Sequence, residues 1–326
     1  MATATIGLSN LGNTCGINTW LQTVFASPAC VRAIVSSPFP AGTFGRCVQE
    51  IVSLWSRSTG SRKLMPSRLV NLIYEKSNGM FESNQQLDIG ELWFWALQQM
   101  HEDCAEPWDL QKETFTDETV RRIAMVAHKF QEGKRSKLLN TFQGIQMAVV
   151  KCQACGHTPI NIEPFTFVQL EVPNTDTSYV LSELFSRYFQ KEAMKEWACD
   201  KCKKQEADKV TRFWSLPEVV VIVLKRFMTT PNGTIRKIHT NVDIPQHLTF
   251  HKGSVLADQQ DHVYELKSMG LHHGTYGGGH YTSVVQHKDT WYHCDDEEIR
   301  ELQNLSDITS KNRSSYVIIY ERAKQK

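Results

Sequence analysis

The sequence predicts an α+β protein, because a helical pattern fills its first part and strand patterns fill most of the remainder. Up to about residue 140, apolar residues recur at the three- and four-residue spacing of a buried helix face. From "IQMAVVKCQAC" onward, short runs rich in Val, Ile, Tyr and Phe replace that pattern. Helices followed by strands indicate two parts packed side by side, with a cleft between them as the natural site.

The helical part opens with its strongest pattern. A helix is predicted from about Gly16, since the apolar residues that follow it keep the i, i+3, i+4, i+7, i+8 spacing. Three further helices are predicted in "VQEIVSLW", "SRLVNLIY" and "QQLDIGELWFWALQQMHE". These segments predict a helical subdomain.

The second part contains repeated strand patterns. Beyond "IQMAVV", strands are predicted in "FTFVQLEV", "EVVVIVLKRF", "VYELKSMGL", "HYTSVVQH", "TWYHC" and "SYVIIYE". One helix, from about Tyr179 to Trp197, interrupts them.

Composition excludes several classes of protein. The 326 residues carry a formal net charge of +1 and 22% charged residues, which argues against a disordered chain, a nucleic-acid-binding tail or a membrane-surface protein. The start, "MATATIGLSN", lacks the features of a secretory leader, and no run approaches the roughly 20 apolar residues of a membrane span. We expect a soluble intracellular protein, cytoplasmic, nuclear or both. Nine cysteines, an odd number, suit a reducing compartment better than a disulfide framework.

Four of the cysteines form two CxxC pairs, in "KCQACGH" and "ACDKCKK". Two such turns can complete a closed tetrahedral site, so they predict a structural zinc ion. The predicted ligands are Cys152, Cys155, Cys199 and Cys202. Free surface thiols and a redox-active CxxC pair are the alternatives. Zinc ribbons also occur in nucleic-acid-binding modules, but the near-neutral composition does not favour that class.

Cys15 is a candidate nucleophile, because it stands directly before the first apolar helix, in "NLGNTCGINTW". A helix N-terminus lowers the pKa of a thiol, and Thr14 lies near the N-cap. Gly12 and Gly16 allow close approach of a substrate backbone. An ordinary packed thiol is the commoner occupant of such a position, so catalysis requires a base elsewhere in the chain.

His280 in "HHGTYGGGHYTSVV" is the best placed of the 12 histidines, since it follows three glycines and opens a predicted strand. Downstream, "TWYHCDDEEI" ends a strand pattern in Asp295 and Asp296. If the two strands are antiparallel, an aspartate returns near His280 and can orient the imidazole. A plain glycine turn and a solvated acidic turn are the alternatives.

These motifs together resemble the ubiquitin-specific protease family, papain-like cysteine deubiquitinases with thumb, fingers and palm. "GLSNLGNTCGINTWLQ" resembles its cysteine box, "QLDIGELW" its glutamine-aspartate box, and "LHHGTYGGGHY" with "WYHCDDEEI" its histidine box. "SLPEVVVIVLKRF", "KIHTNVDIPQHLTF" and "SSYVIIYER" resemble palm strands in the same order. The resemblance implies one catalytic domain over residues 1–326: a helical thumb (1–145), zinc-ribbon fingers with some palm strand (146–215) and an antiparallel palm (216–326).

The resemblance also implies catalytic roles. Cys15 attacks the carbonyl of the C-terminal glycine of ubiquitin, and His280 takes the thiol proton and later protonates the leaving amine. Asp295 orients His280. Asn10 helps to bind the oxyanion together with the backbone N–H of Cys15. Asp296 is implied as a further residue that supports the site.

The resemblance also implies which residues contact the substrate. Asp88 and Glu91, three apart on one predicted helix, match the family's acidic pair for the arginines of the ubiquitin tail. Gly279, His272 and Tyr281 are expected to line a narrow channel for the Gly-Gly end of that tail. From the residues alone, a charge pair at a helix start and a core tyrosine are the favoured alternatives.

Three positions depart from the family pattern. Gly16 stands where an aromatic residue often follows the cysteine, Leu87 replaces a glutamine, and Cys294 replaces an aromatic residue before the triad acid. None of them removes a catalytic atom, so specificity is put in doubt more than activity.

The sequence thus predicts a thiol-dependent ubiquitin hydrolase with a structural zinc ion. Expected partners are ubiquitin or ubiquitinated proteins, with no nucleic acid and no membrane, and the chain is expected to be a monomer. A protease for another ubiquitin-like modifier and a catalytically silent ubiquitin-binding scaffold are the alternatives. The full set of Cys15, His280, Asp295 and Asn10 argues against the scaffold.

Overall fold

The first part of the chain is helical, as predicted. The computed structural model describes residues 6–58, 63–83 and 85–324. Residues 1–5, the first half of the segment predicted not to be a secretory leader, lie outside these ranges. In the described ranges, this part has seven α-helices and one 3₁₀ turn, at Leu110–Lys112. These are α1 (Cys15–Ala26), α2 (Pro28–Ser36), α3 (Phe44–Arg57), α4 (Ser67–Lys76), α5 (Ile89–Cys104), α6 (Glu118–Phe130) and α7 (Lys137–Phe142).

The remainder is mostly strands, with two short helices, α8 (Leu181–Tyr188) and α9 (Ser306–Thr309). The strands are β1 (Glu106–Pro107), β2 (Lys134–Arg135), β3 (Gly144–Cys152), β4 (Ile160–Phe165), β5 (Val168–Glu171), β6 (Tyr179–Val180), β7 (Glu192–Met194), β8 (Ala207–Ser215), β9 (Val219–Lys225), β10 (Phe227–Thr229), β11 (Ile235–Lys237), β12 (Val242–Asp243), β13 (His247–Phe250), β14 (His262–Thr275), β15 (Gly278–His287), β16 (Thr290–Asp295), β17 (Glu298–Glu301) and β18 (Ser315–Arg322). The α+β class is therefore confirmed.

Most of these strands lie in two sheets, and β1-β2, β10-β11 and β12-β6 form separate pairs. An eight-stranded sheet has the order β17-β16-β15-β14-β18-β9-β5, with β13 also paired to β14. A separate four-stranded sheet has the order β4-β3-β8-β7. The large sheet is antiparallel as predicted except at one edge, where β5 runs parallel to β9.

Strand β9 shows how the core is built. Its run "VVVIVL" is buried on both faces, because alternate side chains enter two different apolar clusters. Val219, Val221 and Val223 pack with the helical part, whereas Val220 and Ile222 pack on the opposite face with α8. The large sheet is thus the layer against which the helices are held.

Helix α1 lies between the other helices and the large sheet, and all twelve of its residues are buried. Its polar side chains therefore need internal partners. Gln22 donates to the carbonyl of Ile6 at 2.7 Å, and Thr23 donates to that of Trp20. A helix enclosed in this way is a rigid support for the residue at its start.

The predicted helix over 179–197 is wrong in extent. Only Leu181–Tyr188 is helical, and the chain then forms β7, which pairs with β8. Strand pairing thus overrides the helical pattern of the second half. Helices α2, α6 and α7 were not among the predicted elements.

Candidate active site

Cys15 is the first residue of α1 and is 4% exposed. Thr14 occupies the N-cap position, but its side chain does not cap the helix. Its hydroxyl instead accepts a hydrogen bond from the N–H of Leu11 at 2.8 Å, which closes the loop before the cysteine. Cys15 therefore lies at the positive end of the helix dipole.

His280 and Asp295 meet at the sheet end expected from the sequence. Strands β15 and β16 are antiparallel neighbours, with Ser283 opposite Cys294, so the end of β16 returns beside the start of β15. His280 Nε2 donates to Asp295 Oδ1 at 2.6 Å. This contact leaves Nδ1 as the ring nitrogen that can take a thiol proton.

Asp296 binds different side chains from those that Asp295 binds. Its backbone is left-handed, with φ +50°, and its carboxylate accepts hydrogen bonds from Asn10 Nδ2 at 2.7 Å and Asn18 Nδ2 at 2.8 Å. Asn10 Oδ1 accepts from the N–H of Gly12 at 3.0 Å. The Asn10 amide is therefore fixed at both ends in the loop before the cysteine.

Gln86 connects the helical part to the strand that carries the histidine. Its side-chain amide bonds both backbone groups of Gly279, with Nε2 donating to the carbonyl at 2.6 Å and Oε1 accepting from the N–H at 2.8 Å. The same Nε2 lies 3.8 Å from Cys15 Sγ. One side chain thus links the candidate nucleophile to the residue before His280.

Asp88 and Glu91 adjoin a cavity of about 510 Å³ between the two parts. Asp88 caps α5 by accepting from the N–H groups of Gly90 and Glu91, and it also accepts from the hydroxyl of Tyr316. Glu91 is exposed overall but partly covered at the cavity wall, and this partial desolvation, together with the nearby Asp88, raises the pKa of its carboxyl. Glu91 is therefore the more available acid, and Asp88 has a structural role as well.

The three residues expected to line a narrow channel have different environments. His272 and Tyr281 are buried, with ring centroids 4.7 Å apart, whereas Gly279 reaches the cavity wall. A Cβ on Gly279 would lie 2.2 Å from His272 Nε2 and 2.5 Å from the carbonyl oxygen of His273. Burial, with the positive charges of Lys237 and His273, lowers the pKa of His272 to about 4, so this ring is neutral at pH 7.

Two of the departures from the family pattern lie against each other. A Cβ on Gly16 would be 2.7 Å from Leu87 Cδ1 and 3.2 Å from Ile89 Cγ2. The small residue after the cysteine therefore makes room for the buried leucine. The third departure, Cys294, is buried beside Ala26 and Val285.

The two CxxC turns bring four sulfur atoms within 4.8 Å of one another, so this cluster could hold a metal ion. Cys152 and Cys202 are separated by 3.7 Å, as are Cys155 and Cys199. Zinc–sulfur bonds of about 2.3 Å in a tetrahedron place the sulfurs roughly 3.8 Å apart. The donor set and its spacing therefore fit zinc.

The turns themselves have equivalent backbones. In each, the fourth residue after the first cysteine is left-handed, Gly156 with φ +69° and Lys203 with φ +58°. Their N–H groups donate to the carbonyls of Cys152 and Cys199 at 3.0 and 2.8 Å. This repetition supports one ion held by two like turns.

Sequence reasoning missed three residues with evident functions at the site: Asn18, Gln86 and Tyr316. Asn18 had a usable signal, since an asparagine in a wholly buried helix needs a partner. Gln86 opens the segment that resembles the glutamine-aspartate box, so a motif marks its position, although no role is predicted for it. The hydrogen-bond partners of Gln86 and Tyr316 lie 193 and 228 positions away, so no local pattern indicates these contacts.

A thiol at a helix start near a His–Asp pair is the constellation of a cysteine-type hydrolase. The family model described as "Ubiquitin carboxyl-terminal hydrolase" matches residues 6–320, and the chain belongs to that family. The resemblance seen in the motifs is thereby confirmed.

Individual relatives are distant in sequence. The chain is 27% identical to a probable ubiquitin carboxyl-terminal hydrolase 4 of Schizosaccharomyces pombe, over 98% of this chain and 58% of the relative. It is 25% identical to ubiquitin carboxyl-terminal hydrolase 21 of Rattus norvegicus, over 97% of this chain and 61% of the relative. The chain thus spans less than two thirds of either protein.

Solved structures share the fold. A yeast SAGA DUB module with an Sgf73 mutant aligns with a TM-score of 0.77 at 22% identity, over 98% of this chain and 69% of that one. The SAGA Ubp8/Sgf11/Sus1/Sgf73 DUB module bound to ubiquitin aldehyde aligns with a TM-score of 0.75 at 21% identity, over 98% and 70%.

Within residues 6–58, 63–83 and 85–324, no helix has both the length and the apolar character to cross a bilayer.

Proposed function

We propose that this protein is a thiol-dependent deubiquitinase that hydrolyses the bond after the C-terminal glycine of ubiquitin. The observation that carries the proposal is the 2.6 Å contact between His280 and Asp295, together with the Gln86 amide that contacts both Cys15 and the residue before His280. Membership of the ubiquitin carboxyl-terminal hydrolase family and the distant relatives named for that activity support it.

The residues define an acyl-transfer sequence. His280 Nδ1 takes the proton of Cys15, and the thiolate attacks the glycine carbonyl. The Asn10 amide and the N–H of Cys15 stabilise the oxyanion. His280 then protonates the leaving amine, and water, activated by the same imidazole, releases the ubiquitin carboxylate. Asp295 keeps the ring oriented throughout.

Substrate recognition is proposed at the acidic cavity and the glycine beside it. Glu91, helped by Asp88, attracts the arginines of the tail, and Gly279 admits the two glycines. His272 supports this channel from the core side, since its ring lies against Gly279, and Tyr281 packs against the His272 ring.

We further propose that the four-cysteine cluster holds one structural zinc ion, with Cys152, Cys155, Cys199 and Cys202 as ligands. When bound, zinc would join the ends of the four-stranded sheet and would supply no reaction chemistry. We propose the corresponding division of the domain: fingers with some palm strand over 146–215, between a thumb over 1–145 and a palm over 216–326. We also propose a monomer that meets ubiquitinated proteins in the cytoplasm, the nucleus or both.

The deciding experiment uses ubiquitin with a C-terminal thiol-reactive warhead, beside matched probes for related modifiers, under reducing conditions. We expect one adduct with the ubiquitin probe, mapped to Cys15 by mass spectrometry and absent in Cys15→Ala. Labelling by another modifier alone would favour the related-modifier protease. Absence of an adduct with every probe would leave only a binding function.

A further inference from the structure

The Gln86 amide satisfies both peptide groups of Gly279 at once, donating to its carbonyl and accepting from its N–H. Paired donor and acceptor contacts of this kind are how one extended strand meets another. Here a single side chain takes the place of the second strand.

This contact lies between the acidic cavity and the nucleophile. Gln86 and Gly279 both line the cavity of about 510 Å³, and Gln86 Nε2 is 3.8 Å from the sulfur of Cys15. Cys15 itself is 4% exposed. A substrate tail that comes from the cavity must therefore pass the amide to reach the sulfur.

Gly279 has no room to retreat from the cleft. His272 Nε2 and the His273 carbonyl lie so close to its α-carbon that an added Cβ would be 2.2 and 2.5 Å from them. The strand is thus backed by the buried His272 and by the backbone of His273. The N–H and carbonyl of Gly279 both point to the side that Gln86 occupies, so an incoming backbone must pair with them from that side.

We propose that Gln86 keeps the cleft closed, its amide holding the place of the substrate backbone on Gly279. A tail opens the cleft by exchange: its own N–H and carbonyl replace the two hydrogen bonds of the amide. This rests on the proposed function, in which a Gly-Gly tail enters here. A backbone that lacks an N–H, or carries a bulky side chain, cannot complete the exchange.

The test compares wild type, Gln86→Ala and Gln86→Met with a control, Gln111→Ala, at an exposed glutamine in the 3₁₀ turn. The Met variant keeps side-chain length without the amide. One readout is the rate constant for alkylation of Cys15 by iodoacetamide. The other is steady-state hydrolysis of ubiquitin C-terminal fluorogenic amides, with the native tail and with N-methylglycine at either of the last two positions.

Loss of the amide is expected to raise the alkylation rate severalfold and to lower KM for the native tail. N-methylation at one of the two positions is expected to raise KM by about tenfold in wild type and variants alike, because it removes the N–H that pairs with Gly279. The control should match wild type in every measurement.

Slower alkylation together with a higher KM in both Gln86 variants would overturn the proposal, since the amide would then support the site and not close it. Equal tolerance of both N-methylated tails would also overturn it. Faster alkylation in the variants, with no turnover of ubiquitin by any protein, would retain closure by Gln86 and reject the proposed function.

Discussion

Asn10 Nδ2 donates a hydrogen bond to Asp296 Oδ2 at 2.7 Å, while the preceding Asp295 accepts one from His280 at 2.6 Å. The left-handed backbone of Asp296 turns its carboxylate toward the loop before α1. Two consecutive acids therefore hold different groups: one orients the candidate base, and the other orients the candidate oxyanion donor.

This division predicts different kinetic signatures for the two acids. Asp296→Ala removes the acceptor that holds the Asn10 amide, so kcat should fall by about tenfold to 100-fold, while the pH profile should stay unchanged. The upper end is roughly the loss in kcat that follows removal of an oxyanion donor. Asp295→Ala removes the group that orients the His280 ring, so it should lower kcat more strongly, because the base and acid of the reaction loses its geometry. The measurement is kcat against pH on a ubiquitin C-terminal amide.

Asp289→Ala, in the turn between β15 and β16, is the matched control and should behave as wild type. Asn10→Ala combined with Asp296→Ala should cost little more than Asn10→Ala alone, because both changes remove the same function. Full additivity of the two losses would show that Asp296 acts by some other route.

Substitutions of Asp88 and Glu91, the acidic pair, should have different effects: one on stability and the other on substrate binding. Asp88→Ala removes the cap of α5 and the partner of Tyr316, so unfolding should become easier by about 1–2 kcal/mol, as measured by denaturant melts. Glu91→Gln should leave stability close to that of wild type and raise KM for ubiquitin severalfold, because it removes a charge from the cavity wall.

The pH dependence of KM follows from the raised pKa of Glu91. A raised pKa means that this carboxylate takes up its proton at a higher pH than an ordinary glutamate, so the negative charge is lost earlier as pH falls. KM of the wild type should therefore rise on acidification sooner than an unperturbed glutamate predicts. Glu91→Gln should have a flatter KM profile; an identical profile would remove Glu91 from tail binding.

The sequence predicts best where burial imposes a periodic pattern. Helix α1 and strand β9 were both predicted, because one is enclosed by helices and sheet and the other is buried on both faces. The helix predicted over 179–197 failed beyond Tyr188, where pairing of β7 with β8 decides the structure. A strand partner far along the chain leaves no trace in a local pattern.

The candidate site shows the same limit. The prediction that an aspartate at the end of β16 approaches His280 follows from antiparallel pairing alone, and Asp295 contacts the ring as expected. Three contacts depend on side-chain orientation across the cleft: Asp296 with Asn10, Tyr316 with Asp88, and Gln86 with Gly279. Although Gln86 belongs to the segment that resembles the glutamine-aspartate box, no local pattern indicates any of these three contacts.

The cysteine cluster should behave as one cooperative metal site. Elemental analysis should find about one zinc ion per chain, and Cys155→Ser should lose it, with a lower melting temperature and reduced ubiquitin turnover. Cys104→Ser, at a thiol outside the cluster, should keep the metal. A fully active, equally stable protein after complete chelation would contradict a structural zinc ion.

The contact between Gly16 and Leu87 predicts a compensating pair of substitutions. Gly16→Phe should destabilise the protein by about 1–3 kcal/mol, because its Cβ would lie 2.7 Å from the leucine at a buried helix start. Leu87→Ala alone should also destabilise it, by leaving a cavity. The double variant should recover much of both losses in a double-mutant cycle of denaturant melts, with a favourable coupling energy of about 1 kcal/mol or more. Additive losses would mean that the backbone before α1 moves to accommodate the ring, and that the small residue after Cys15 is independent of the leucine.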